Sequence, residues 1–181
     1  MIWLLVAVIV VLLCVVGVLV YRQRRSAQLR EGFGPEYDRV VEERGPREGE
    51  AELRERFDRR RSYDIRPLDP AARDRYAERW RATQAQFVDQ PASALADADK
   101  LVAEVMRERG YPVEDFDQQA DDVSVDHPEV VEHYRKAHAI QSAREASTEE
   151  LRQGLVHYRA LFDELLETDT TTRPERVEEV R

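Results

Sequence analysis

The sequence predicts an all-α protein in which an N-terminal transmembrane helix is followed by a small helical bundle domain. Three observations predict this fold. Residues 2–20 read IWLLVAVIVVLLCVVGVLV, with no charged side chain before Arg22. Beyond them, apolar residues recur at spacings of three and four, the period of one helix face. No stretch sustains the alternation of a half-buried strand. The predicted divisions are a transmembrane anchor over 1–21, a basic juxtamembrane segment and charged linker helices over 22–66, a helical domain over 67–167, and a disordered tail over 168–181.

The apolar run of 19 residues would extend about 28 Å as a helix, close to the ~30 Å of a bilayer's hydrocarbon core. A cleaved secretory signal has a basic start, a shorter core and a small-residue cleavage site. Here Met1-Ile2 opens the run and Tyr21-Arg22 closes it. The expectation is therefore an uncleaved anchor, with a secreted helical protein as the alternative should the segment be removed. Tyr21, Arg22, Arg24 and Arg25 form the predicted membrane interface, with Arg30 just beyond. Basic residues on this flank place it on the cytoplasmic side and the N-terminus outside. Each arginine near an anionic surface contributes about 1 kcal/mol, and the cluster reads as a topology signal rather than a lipid-recognition site. Cys14, the sole cysteine, lies in the run as a small hydrophobe and excludes an intrachain disulfide.

All 28 basic and 37 acidic side chains follow Tyr21, and the net charge is -9. This balance excludes general nucleic-acid binding, which needs a basic footprint. The segment Gly32-Phe33-Gly34-Pro35 interrupts the first helix, and a short helix is expected from Pro35 to Arg44. After Gly45-Pro46, a charged helix is expected over 48–62. Its Glu52/Arg56 and Glu55/Arg59 pairs stand at the helical spacing of four. Interspersed acids make Arg59-Arg60-Arg61 read as a solvated helix face.

The stronger core signals come later. Asp69-Pro70 is an N-cap with proline at the first helical position. Ala72, Tyr76, Trp80, Thr83 and Phe87 then line one face, so Trp80 reads as core rather than as a ligand-stacking platform. Pro91 opens a helix carrying Ala94, Leu95, Ala98, Leu101, Val102, Val105 and Met106, and Gly110 ends it. Residues 111–125 read as an acidic, irregular connector in which Val113 and Phe116 plug the core. Pro128 starts a further helix with Val130, Val131, Tyr134, Ala137 and Ile140 inward. Ser147 to Glu150 matches a capping box, and Leu151, Leu155, Tyr158, Phe162 and Leu165 follow on one face.

No catalytic, cofactor-binding or metal-ligating residue is predicted. Asp122, Ser124 and Asp126 start like a calcium loop, but His127 and His133 stand where glycine and glutamate are required. The same segment therefore reads as capping and loop. His127, His133, His138 and His157 lack the paired spacing of a metal site; Glu129 and His133 are four apart, with no second such pair. Ser124, Asp126 and His127 are too close along the chain to form a triad by themselves. Phosphate-cradling glycine loops, zinc-ribbon spacings and nucleophile elbows are absent from the sequence.

The segments FGPEYDRVVEERG, RYAERWRATQAQFVDQPASALADADKLVAEVMRERGYP, VDHPEVVEHYRKAH and LRQGLVHYRALFDELL resemble an uncharacterised family of small bacterial membrane-anchored helical proteins. The resemblance spans Phe33 to Leu166. It implies a bacterial cell-membrane setting and a helical domain, and it carries over no activity or site residue. Two functions are compatible with these features. The first is a non-enzymatic interaction or scaffold module with the lipid bilayer and an unidentified protein as partners. The second is a small-ligand-binding or enzymatic domain whose site assembles between helices around Glu129, His133, Tyr134 and His138. Self-association through the membrane helix is the weakest option, because Gly17 stands alone without a GxxxG motif.

Overall fold

The structure is a computed structural model that describes residues 2–167; the side chains of 2–11, 15, 18, 19 and 22 lie outside that description. Eight helices occur among the described residues, and no strand. They are α1 (Ile2–Phe33), α2 (Pro35–Arg44), α3 (Pro46–Arg61), α4 (Pro70–Gln86), α5 (Pro91–Arg109), α6 (Phe116–Asp126), α7 (Val131–Gln141) and α8 (Thr148–Glu167). The fold is an all-α helical bundle. Among the described residues no helix is long and apolar enough to cross a membrane. The run 2–20, on which the anchor expectation rests, lies largely outside the described side chains, and the tail expected over 168–181 lies outside the described residues altogether.

The chain divides into two compact units, one up to Arg54 and one from Glu55 onward. The cut falls within α3, upstream of the 66/67 division expected from sequence. In the first unit, α1 runs as one helix through the arginine-rich flank to Phe33. Gly34 (φ 48°) and Gly45 (φ 82°) then turn the chain at positive φ, where a side chain is strained. Pro35 and Pro46 begin the two helices that follow. A Cβ on Gly49 would stand 3.1 Å from the Val40 carbonyl, so α2 and α3 approach closely there. Phe33, Val40 and Leu53 are buried, as is Glu36, which accepts two hydrogen bonds from Arg39 at 2.7 and 3.0 Å.

In the second unit α5 and α8 form the centre, with α4 and α7 packed against them. Every apolar position expected on α5 is buried. Trp80 of α4 stacks on Phe162 of α8 with ring centroids 4.5 Å apart. Gly154 brings α8 close to α5 and α7; an added Cβ would meet Leu95 at 3.0 Å and Ile140 at 3.3 Å. Tyr134 and Tyr158 are buried but satisfied, donating to Gln119 and Asp99 at 2.7 Å each. This matters because a buried hydroxyl without a partner costs about 1–3 kcal/mol.

The caps follow local chemistry. Asp69 accepts from the Ala72 backbone N–H at 2.8 Å. Ser147 and Glu150 exchange the two bonds of a capping box. Gly110 ends α5 in the left-handed region, φ 102°. Two expectations need correction. The supposedly irregular 111–125 contains α6, capped by Asp115 accepting from the Gln118 N–H. Helix α7 begins at Val131 rather than Pro128, because a turn over His127–Val130 comes first.

Candidate functional site

Of the predicted interface residues, Tyr21, Arg24 and Arg25 are exposed, and the side chain of Arg22 lies outside the description. The structure separates them. Tyr21 and Arg25 line a cleft in the first unit together with Ser26 of the same helix and Pro46, Arg47, Glu50 and Arg54 of α3. Arg24 is not part of its lining. The cleft has a volume of about 420 Å³. Arg47 and Arg54 were not singled out by sequence reasoning. They lie more than twenty positions after Arg25, and the chain turns at Gly34 and Gly45 before α3 reaches the same cleft.

The electrostatics of this cleft are unequal. Glu50 accepts from Arg54 at 2.6 Å and from the Tyr37 hydroxyl at 3.2 Å. Burial, followed by the Glu50 carboxylate, raises the Tyr37 phenol above its ordinary value, so it remains a donor. No ion pair engages Arg25 or Arg47 among the described residues. The cleft is therefore a cationic concavity whose single acid is already engaged, with no nucleophile–base pair in its lining.

The second unit has a cleft of about 510 Å³, lined by Leu95, Ile140, Arg144, Glu145 and Leu151 among others, and it gathers most of its paired ionisable groups elsewhere. Arg56 lies 2.9 Å from Asp121, Arg59 2.9 Å from Asp122 and Arg60 2.6 Å from Asp126. This ladder between α3 and α6 corrects the solvated-face reading of the arginine run: Arg56 is 3% exposed and Asp122 fully buried. It also replaces the loop role of the acidic segment, since all three aspartates stand on α6. Tyr111 donates to Asp126, and burial, reinforced by that carboxylate, pushes its phenol well above the ordinary value. Oppositely charged partners neutralise one another here, leaving a structural network.

The histidines are dispersed among different partners. His133 and His157 face each other across α7 and α8 with Nδ1 atoms 2.8 Å apart. That contact requires one ring to present a lone pair, so at least one of the two is neutral. His138 stacks on Phe116 with centroids 3.6 Å apart. His127 is buried, with Nδ1 3.1 Å from Glu164. Tyr134 is turned into the core, and Glu129 is exposed. Among the described residues, no group of three or more histidine, cysteine or acidic side chains is placed to hold a metal ion. Comparison with family models, curated proteins and solved structures finds no match to this chain.

Proposed function

We propose that the chain is a membrane-tethered helical interaction or scaffold module of the bacterial cell membrane, with its N-terminus outside and its bundle in the cytoplasm. The observation that carries this reading is the continuity of α1, which extends from the uncharged run 2–20 into the arginine cluster without a break. A polar break between them would have favoured a detachable leader. The bacterial setting rests on the family resemblance, and the orientation on the basic flank. Tethering confines the bundle near membrane partners and raises its effective concentration toward them. The engaged histidines and paired arginines support a binding rather than a chemical role for the bundle.

Alkaline extraction of membranes tests the anchor, together with mass spectrometry of the mature N-terminus. The protein is expected to stay in the membrane with its first residues intact. A mature start beyond Tyr21 would sink the reading in favour of a secreted protein. Orientation is tested by a reporter that is active only outside the cytoplasm, fused after Leu166, which should stay silent.

A further inference from the structure

We propose that the cleft between α1 and α3 seats the phosphate-bearing headgroup of an anionic phospholipid. The inference rests on the membrane-tether reading and names the ligand class of that interface. It begins with charge. Three guanidinium groups, from Arg25, Arg47 and Arg54, meet around one concavity with one carboxylate, Glu50. Glu50 is committed to Arg54 and Tyr37. Arg25 and Arg47 line the same cleft with no ion pair among the described residues, so their guanidinium groups are open to an anion placed there. Guanidinium is the side chain best shaped to donate pairs of hydrogen bonds to a phosphate. The chain as a whole carries a net charge of -9, so this local cationic cleft stands against the general field of the protein.

Depth selects a lipid as the source of the phosphate. Tyr21 is the first residue beyond the apolar run. Arg25 stands about 6 Å further along the helix at 1.5 Å per residue. The headgroup layer on each side of a bilayer is about 5–8 Å thick, taking about 40–45 Å in all and about 30 Å for the hydrocarbon. With the run in the hydrocarbon, the cleft lies at headgroup level, and Tyr21 suits that boundary. The arginines of α1 thus do more than set topology: Arg25 belongs to a site completed by α3, whereas Arg24 does not.

The test uses the full-length protein in mild detergent, with lipid retention read by native mass spectrometry. Phosphatidylglycerol and phosphatidylcholine are added at equal concentration. The wild type should retain one phosphatidylglycerol preferentially. Arg25→Gln and Arg47→Gln should each lower that preference about fivefold, the effect of one guanidinium near an anionic surface. Arg24→Gln removes the same charge at the same depth, outside the cleft, and should change the preference little. Equal losses in all three variants would show a diffuse charge effect and overturn the proposal. So would equal retention of both lipids, or full displacement of the lipid by inorganic phosphate, which would assign the cleft to a soluble anion. Circular dichroism of each variant verifies folding. Membrane integration is read separately by alkaline extraction, so failure of the anchor and failure of the cleft give different results.

Discussion

Replacing Arg59 by alanine should destabilise the bundle substantially, although the sequence presents it as one of three consecutive surface arginines. Its Nε lies 2.9 Å from Oδ1 of Asp122, which is fully buried on α6. Removing one partner of a buried pair typically costs about 3–5 kcal/mol, because the remaining charge stays desolvated. The Arg59 side chain retains 29% of its exposure, so water can enter the space it leaves. That access to water reduces the expected loss to about 2–3 kcal/mol. Asp122→Ala should cost less, since Arg59 can swing to solvent. The double variant should then lose less than the sum of the singles, with a coupling of about 1–2 kcal/mol. The measurement is urea unfolding of the full-length protein in detergent, followed by near-ultraviolet circular dichroism, which reports the packing of Trp80. An Arg59→Ala variant within about 0.5 kcal/mol of the parent, the range of ordinary surface changes, would refute the buried ladder.

Leu155→Ala, on the core face of α8, should cost about 2–5 kcal/mol in the same assay. Gly110→Ala should lower the thermal midpoint sharply: at φ 102° its Cβ would stand 2.4 Å from the Asp64 carbonyl oxygen, and backbone cannot yield as a flexible side chain would. Acidification should destabilise the bundle in a defined window. Burial lowers His127 and His157 below the ordinary imidazole value; Glu164 opposes the shift at His127, and His133 and Lys136 add to it at His157. The unfolded chain, with histidines near 6.5, binds protons first, so stability is full above about pH 6.5 and is lost as pH falls through the lower folded values. Thermal melts between pH 7.5 and 5 should show this fall, and His157→Gln should flatten it; a flat wild-type profile would contradict the assigned burial.

The legible parts of this fold are those whose causes are local. Asp69-Pro70 carries its own cap, Ser147 and Glu150 satisfy each other three positions apart, and the faces containing Trp80, Leu101, Leu155 and Tyr158 repeat within each helix. All four of those side chains are buried. Helix α6 was harder to read because its inward face is partly acidic. Asp122 and Ser124 are buried alongside Ala120 and Val123, and apolar periodicity fails where a buried position holds a charge whose partner is distant. That partner, Arg59, lies 63 positions earlier. Either segment alone reads as solvated; only their meeting makes burial affordable.

The same distinction governs the cleft. Tyr21 and Arg25 could be picked out because they directly follow the apolar run, a local signal. Arg47 and Arg54 carry no such signal: they sit in a helix of mixed charge where a salt-bridged surface is the ordinary expectation. What distinguishes them is that, after the turns at Gly34 and Gly45, α3 lines one cleft with Tyr21 and Arg25 of α1. The glycine-proline pairs at 34–35 and 45–46 therefore have a consequence beyond ending helices. They separate helices whose arginines then line one cleft: Arg25 comes from α1, Arg47 and Arg54 from α3. A cleft lined from two helices presents its guanidinium groups to one enclosed space, whereas a row of arginines along one helix presents them outward, and the spacing that brings them together is set by the turns, not by the arginines' own neighbours in sequence.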